Sequence, residues 1–143
     1  MEQNIDRKAL IRAAFAAREY AYTPYSNFKV GAALLAKNGS VYTGCNIECA
    51  TFTPTNCAER TALFKAVSEG VHEFAAVAVV GAKDGAPDDA LVTSPCGVCR
   101  QMLYEFAPGL RVLAARGDGD FQDAALEELL PHGFGPHSLE GNK

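Results

Sequence analysis

The sequence predicts a single three-layer α/β domain, in which a mixed five-stranded sheet carries helices on both faces. Apolar runs of strand length alternate along the chain with segments whose apolar residues recur at helical spacing. Asn38-Gly39 separates the first two apolar runs and is typical of a hairpin, which adds an antiparallel pair. The length of 143 residues suits one domain, and no linker or repeat divides residues 1–143.

The first third of the chain predicts a helix followed by a hairpin. Apolar residues at near-helical spacing predict a helix over 4–21, and Pro24 cannot continue it. The mostly apolar run 28–36 predicts a buried strand. The segment 41–46 then predicts its antiparallel neighbour.

The middle of the chain predicts a second helix and the central strand. The segment 57–69 has a buried apolar stripe, and Gly70 is placed to end the helix. The continuous apolar run 74–82 suits a strand covered on both faces. A polar loop is predicted over 83–93.

The last third predicts a third helix over 96–106 and a strand over 110–115. A glycine-rich turn then predicts a short antiparallel fifth strand over 120–122. A final short helix is expected over 124–130, and the polar end that follows Gly133-Phe134-Gly135-Pro136 is expected to fray.

Composition narrows the class of function. The formal net charge of −4 argues weakly against a nucleic-acid surface, which needs a basic face. No apolar run approaches the roughly 20 residues of a membrane span. Arg7, Lys8 and Arg12 interrupt any signal-peptide core, and five cysteines then suggest metal ligands or free thiols in a reducing compartment. We therefore expect a cytoplasmic protein that binds neither membrane nor nucleic acid.

Two short motifs predict a metal centre. Cys96 and Cys99 have the C-x-x-C spacing at which two thiolates reach one zinc ion, and Cys57 can supply a third. Three protein ligands leave a fourth position for water, which is the pattern of a catalytic zinc site. Glu59 can then move a proton beside the metal.

Local sequence predicts that both motifs lie at helix starts. Residues at i and i+2 diverge on a helix body, so Cys57 and Glu59 can share a target only over its open end. Asn56 is predicted as the N-cap of the second helix. Ser94 is predicted as the N-cap of the third, with Pro95 at its first position.

Each motif alone has an ordinary alternative. Asn56-x-x-Glu59 also fits a capping box, in which Glu59 only returns a hydrogen bond to the cap. A lone C-x-x-C pair can be redox-active or belong to a structural zinc site. Their conjunction matches the zinc deaminase signature, with Cys57 in the position of a histidine ligand.

The chain closely resembles the small homotetrameric cytidine deaminases. The resemblance extends over nearly the whole chain and is carried by five motifs, at 25–33, 44–48, 57–62, 95–101 and 127–134. It implies the cytidine deaminase fold and hydrolytic deamination of cytidine and 2′-deoxycytidine in pyrimidine salvage. It also implies a homotetramer whose sites are completed by neighbouring subunits.

The resemblance also implies roles for individual residues. Cys57, Cys96 and Cys99 would hold one zinc ion per chain, and Glu59 would shuttle protons. Phe28 would lie near the base and sugar of the substrate, and Asn46 and Glu48 would hydrogen-bond the ribose 3′-hydroxyl. The Ala58 amide would donate to the pyrimidine carbonyl. Phe134 would enter the site of a neighbouring subunit. Cys49 departs from the pattern, because an asparagine commonly follows Glu48 in this family.

Arg60 is predicted to tune the metal from outside its ligand shell. Zinc with three thiolates carries a formal charge of −1, which opposes the activation of a bound water. Arg60 lies at i+3 from Cys57 and can reach back toward the thiolates. The alternative is a solvated charge on the helix surface.

Three rival functions remain at this point. A nucleic-acid-editing deaminase shares the zinc chemistry but needs a basic groove. A deaminase of another free base or modified nucleoside is a closer rival, although the pair Asn46 and Glu48 favours a substrate with a ribose. A non-catalytic zinc module is the third. Cys45 and Cys49 are interpreted as packing thiols, and the three histidines (His72, His132 and His137) as surface residues.

Overall fold

The computed structural model describes residues 4–83 and 92–140. Most of the predicted polar loop 83–93 lies outside these ranges. The helices are α1 (Arg7–Arg18), α2 (Ala58–Ser68), α3 (Gly97–Phe106), α4 (Leu126–Leu129) and α5 (Pro136–Leu139). The strands are β1 (Phe28–Ala36), β2 (Val41–Cys45), β3 (Phe74–Lys83), β4 (Arg111–Gly117) and β5 (Asp120–Ala125).

The strands form one mixed sheet, as predicted. Its order is β2-β1-β3-β4-β5, with β3 and β4 parallel and the other neighbours antiparallel. Because β1 is antiparallel to both β2 and β3, the start of β1 lies at the same end of the sheet as the last residues of β2 and β3. Phe28 is accordingly opposite Lys83, and Gly31 is opposite Cys45. Residues of β1, β2 and β3 therefore lie together at this end of the sheet, next to the starts of α2 and α3.

The prediction that β3 is covered on both faces is confirmed. Alternate residues of β3 belong to two separate buried clusters. Val77 and Val79 pack with residues of α2 and α3, whereas Ala78 and Val80 pack with residues of α1. The sheet is therefore the middle of three layers, with α1 on one face and α2 and α3 on the other.

A glycine on β2 allows α2 to begin close to the sheet. A Cβ atom on Gly44 would lie 2.5 Å from the carbonyl oxygen of Ala58 and 2.6 Å from the nitrogen of Ala62. Any larger residue would push the first turn of α2 away from β2. This close packing fixes the helix start that carries Cys57 and Glu59.

The predicted bounds of α1 and α4 were too wide. The helix α1 starts at Arg7 because the Asp6 carboxylate accepts a hydrogen bond from the Ala9 amide (3.1 Å), which caps it there. The helix α4 starts only at Leu126 because Ala124 and Ala125 continue β5 and pair with β4. The ladder to β4 prevails over the high helix propensity of these two alanines.

The tail is more regular than predicted. The expected fraying of the polar end after Pro136 is wrong for residues 137–139, because residues 136–139 form α5, with Pro136 at its start. The rings of Tyr104 and His137 lie 6.1 Å apart. Packing against α3 therefore orders a segment whose polar sequence gives little signal of it.

The carboxylate of Asp123 on the edge strand β5 forms ion pairs with α1 and with the neighbouring strand β4. Asp123 accepts hydrogen bonds from Arg7 (2.6 Å) and Arg111 (2.9 Å). Burial would raise the pKa of Asp123, but the two arginines outweigh it and hold this pKa below its ordinary value of 3.8. The ionised form is therefore favoured in the folded state.

We expect Asp123→Asn to lower the free energy of unfolding by about 1 kcal/mol near neutral pH, since the pairs are partly exposed. A carboxyl with a lowered folded pKa stabilises the fold above its unfolded pKa, and this contribution fades as the pH falls through the folded pKa. Urea unfolding of both proteins near neutral pH and below about pH 3 checks this. A difference that persists unchanged in acid would contradict it.

Candidate functional site

Three thiols lie close together at the end of the sheet where β1 begins and β2 and β3 end. The sulfur atoms of Cys57, Cys96 and Cys99 all lie within 4.8 Å of one another, and those of Cys57 and Cys96 are 3.7 Å apart. Tetrahedral zinc with Zn–S bonds of about 2.3 Å places its sulfur ligands about 3.8 Å apart. The donor set and its spacing therefore fit a zinc ion. Zinc is the cofactor that this chain has the residues to hold.

Both motifs lie at helix starts, but the cap residues differ from those predicted. The N-cap of α2 is Cys57 instead of Asn56, and the N-cap of α3 is Cys96 instead of Ser94. Neither cap residue makes a side-chain hydrogen bond to its helix. Each helix therefore starts one or two residues later than predicted, and two of the thiols sit directly over the partial positive ends of α2 and α3.

The neighbours of Asn56 and Pro95 explain the shift. The Asn56 side chain donates to the Thr61 hydroxyl (3.1 Å), and its backbone pairs with Ile47. Pro95 precedes the third helix instead of opening it, and its carbonyl accepts from Arg100 (2.8 Å). Extended backbone up to each cysteine thus leaves its thiol free to face the other.

Arg60 faces the thiol cluster, as its spacing predicted. Its guanidinium donates to the Cys57 sulfur at 3.3 Å. The neighbouring Cys99 thiol and the Arg60 guanidinium lower the pKa of Cys57 to about 5, against the opposing effect of burial. The neighbouring Cys57 sulfur and burial raise the pKa of Cys99. The cluster therefore favours a thiolate, the form that binds metals.

Glu59 is buried beside the cluster and is only 3% exposed. Burial raises the pKa of Glu59 to about 7, and the negative charge of Cys57 adds to this effect. A carboxyl with such a pKa can both accept and release a proton near neutral pH. The capping-box alternative fails, because α2 is capped by Cys57 with no side-chain hydrogen bond.

A cavity of about 330 Å³ opens next to Glu59 and Cys57. It brings together four of the five residues predicted to contact substrate, and these are Phe28, Asn46, Glu48 and Ala58. Phe28 is half-buried at the start of β1, and the others follow β2 or begin α2. The cavity is large enough for a small polar ring compound next to the thiols.

Asn46 and Glu48 are both tied to nearby backbone. The Asn46 amide accepts from the Val30 N–H (2.9 Å) and donates to the Phe28 carbonyl (2.8 Å). The Glu48 carboxylate accepts from the amides of Tyr25 (3.0 Å) and Ser26 (3.2 Å) and from the Ser26 hydroxyl. The hydrogen bond from the Ser26 side chain, against the opposing effect of burial, lowers the pKa of Glu48. Both residues line the cavity wall, and each keeps hydrogen-bonding capacity beyond these contacts.

Phe134, which was predicted to enter a neighbour's site, lies outside the cavity of its own chain. Its side chain is 59% exposed, and it does not line the cavity. Its backbone carbonyl accepts a hydrogen bond from the Gln101 side chain at 2.7 Å. An exposed aromatic ring on a backbone held in this way is available to another molecule.

Four residues that line the cavity were not predicted as site residues, and these are Ser26, Val30, Thr93 and Ser94. Thr93 lines the wall, and a Cβ atom on Gly81 would lie 2.7 Å from its hydroxyl oxygen, so this segment crosses closely over the end of β3. Ser26 also lines the wall and binds Glu48. The position of Ser26 just after Pro24-Tyr25 could have indicated a loop-anchoring hydroxyl. Thr93 follows a polar stretch that gave no such signal.

Other cysteines and histidines stay outside the site. Cys45 and Cys49 are half-buried free thiols apart from the three-thiol cluster, and the three histidines are exposed. None of the helices within 4–83 and 92–140 is long and apolar enough to cross a membrane.

Comparison with known proteins agrees with this site. Residues 4–115 match the family model described as the cytidine and deoxycytidylate deaminase zinc-binding region. A cytidine deaminase of Sporosarcina psychrophila is 48% identical over 136 residues, which cover 94% of this chain and 96% of that protein. One from Halalkalibacterium halodurans is 50% identical over 131 residues, covering 91% and 95%.

Solved structures agree as well. A crystal structure of cytidine deaminase from Burkholderia pseudomallei superposes with a TM-score of 0.81 at 49% identity, covering 91% of this chain and 100% of that one. A Mycobacterium tuberculosis cytidine deaminase gives a TM-score of 0.78 at 36% identity, covering 92% and 99%. The chain belongs to the cytidine and deoxycytidylate deaminase zinc-binding family.

Proposed function

We propose that this protein is a zinc-dependent cytidine deaminase that hydrolyses cytidine and 2′-deoxycytidine to the uracil nucleosides and ammonia. The observation that carries the proposal is the buried carboxyl of Glu59 in a cavity wall it shares with Cys57 and Cys96. Cys57, Cys96 and Cys99 would hold one zinc ion per chain.

When bound, zinc supplies a Lewis acid that activates water for attack on the ring carbon bearing the amino group. Glu59 accepts the proton of the attacking water and delivers it to the adjacent ring nitrogen. Glu59 then helps to pass a proton to the amino group, which leaves as ammonia. A pKa of about 7 suits both directions of this transfer.

The remaining cavity residues would orient the nucleoside. Phe28 offers an apolar wall to the base and sugar, and the Ala58 amide lies at the open end of α2, where it can donate to the pyrimidine carbonyl. Asn46 and Glu48 would bind the ribose 3′-hydroxyl through the hydrogen-bonding capacity that their contacts to the backbone do not use. Anchored side chains of this kind hold their geometry without further ordering on binding.

A substrate panel tests this proposal. Ammonia release is measured with cytidine, deoxycytidine, cytosine, adenosine and single-stranded DNA. We expect turnover of the first two only. Turnover of cytosine or adenosine instead would favour the rival deaminase of another base or nucleoside, and activity on DNA would favour an editing enzyme.

We further propose that residues 1–143 form one domain of a cytoplasmic homotetramer that serves pyrimidine salvage. Support for the oligomer comes from Phe134, whose exposed ring lies outside the cavity of its own chain. In a symmetric assembly this ring would complete the site of a neighbour.

Removal of the Phe134 ring is expected to reveal such an assembly. We expect Phe134→Ala to raise the KM for cytidine with little change in melting temperature, because the side chain is largely exposed on its own chain. Steady-state kinetics and light scattering on the same preparation check this, with Leu139→Ala as a control at another exposed apolar residue of the tail. A fully active monomer at low concentration would contradict it.

Arg60 is proposed to offset the charge of the three thiolates. Arg60→Gln removes the hydrogen bond to Cys57 and the positive charge, so we expect zinc loss to a chelator about tenfold faster and lower turnover, with the fold intact. Adding Cys57→His should restore part of the loss, because a neutral ligand removes one negative charge. Wild-type turnover and zinc content in Arg60→Gln would show that the charge-balance argument is wrong.

A further inference from the structure

Arg100 joins two distant parts of the chain through one guanidinium group. Its Nε donates to the Pro95 carbonyl at 2.8 Å, and one terminal nitrogen donates to the Ser94 hydroxyl at 3.0 Å. The other terminal nitrogen donates to the Leu129 carbonyl at 2.9 Å. One side chain therefore ties the segment just before Cys96 to the end of α4.

These contacts use the shape of arginine more than its charge. All three partners are neutral oxygens, and the planar fork presents donors in fixed directions on two edges, which lysine cannot reproduce. Leu129 is the last residue of α4, so its carbonyl is one of those that a helix end leaves without an internal partner. The backbone N–H of Arg100 also donates to the Cys96 carbonyl at 2.9 Å. Arg100 thus holds three consecutive residues, 94–96, in place.

The next residues of α3 hold the rest of the C-terminal segment. The Gln101 side chain donates to the Phe134 carbonyl at 2.7 Å. Cβ atoms on Gly133 and Gly135 would lie 2.8 Å and 3.0 Å from the ring of Tyr104. The backbone on both sides of Phe134 therefore lies flat on α3, with no room for side chains at the two glycines.

We propose that Arg100 is a positioning residue that couples the cysteine turn (residues 94–99) to the C-terminal segment (residues 126–139), with Gln101 fixing the backbone of Phe134. A metal ion held by Cys96 and Cys99 immobilises the first turn of α3. Arg100, the next residue, donates to the Leu129 carbonyl and so restricts the motion of the C-terminal segment as well. The inference rests on the proposed function only for the use of the zinc site and of Phe134.

The coupling is tested on zinc-loaded protein by two measurements that need no turnover. One is the rate of zinc loss to a chromogenic chelator, and the other is amide hydrogen exchange of residues 126–139. For Arg100→Gln we expect zinc loss about tenfold faster or more and faster exchange in the tail. Arg100→Lys keeps the charge but not the fork, so it should not restore either value.

Two further variants isolate the effect. Arg12→Gln, which loses only a salt bridge to Asp118 on the surface, should leave both measurements unchanged. Gln101→Ala should speed exchange near Phe134 while zinc is retained as in the wild type. If Arg100→Gln does not fold, the same measurements on Arg100→Lys decide the question.

In the cobalt-substituted protein, Arg100→Gln should also alter the thiolate-to-cobalt absorption band, which a merely structural role would not change. The proposal is overturned if Arg100→Gln changes only one of zinc loss and tail exchange, or neither, or leaves the cobalt band as in the wild type. If the proposed function were wrong, the wild-type protein would release no ammonia from cytidine, whatever the behaviour of the Arg100 variants. The two failures are therefore distinguishable.

Discussion

Glu59→Gln is expected to lower turnover of cytidine by about a thousandfold while zinc content and fold are retained. The amide has nearly the same volume as the carboxyl, so it fits the same buried position next to Cys57. It cannot accept the proton of the attacking water, and the transfer to the ring nitrogen then has no carrier. Turnover, zinc content and melting temperature are measured on one preparation.

The matched control for this variant is Glu69→Gln at the other end of the same helix, where the carboxylate is exposed. This change should leave all three values as in the wild type. If Glu59 served only to stabilise α2, Glu59→Gln would lower the melting temperature and keep most of the turnover. That outcome would contradict the assignment of Glu59 as the proton shuttle.

Cys99→Ser is expected to abolish both zinc binding and turnover. Cys99 is the fully buried member of the cluster, and its sulfur lies within 4.8 Å of both partner sulfurs. A serine hydroxyl is a poor zinc ligand at neutral pH because it stays protonated. Two thiols would remain, and they do not make a complete site. Elemental analysis and the ammonia assay check this.

Cys49→Ser provides the comparison, because Cys49 is a half-buried free thiol outside the cluster. It should keep one zinc ion per chain and normal turnover. The melting temperature of Cys99→Ser should also fall, since a metal that binds only the folded state stabilises it. A Cys99→Ser protein that still binds zinc and turns over cytidine would contradict the three-thiol site.

The sequence predicted the elements best where one physical signal dominates. The bounds of β1 came out as predicted, because an apolar run leads into an Asn-Gly turn. Those of α4 and β5 did not, since two alanines can join a helix or a sheet and only the ladder to β4 decides between them. The tail helix α5 depends on contact with Tyr104, which is distant in sequence.

The candidate site shows the same division. Motif spacing predicted that Cys57, Cys96 and Cys99 meet, and the structure brings them together. The caps were predicted wrongly because Asn56 and Ser94 find partners elsewhere, Asn56 in the hydroxyl of Thr61 and Ser94 in Arg100. Local sequence does not show such competition for a side chain. Thr93 enters the wall only through the way its segment crosses β3, which is a property of the fold.

The most direct test of the three-thiol centre is to titrate zinc back into protein from which it has been removed. Turnover of cytidine and bound zinc are measured after each addition. Because Cys57, Cys96 and Cys99 make one tetrahedral site with a position for water, turnover should rise in proportion to bound zinc and stop at one ion per chain. Substantial turnover by the zinc-free chain, or a requirement for a second ion, would contradict the account.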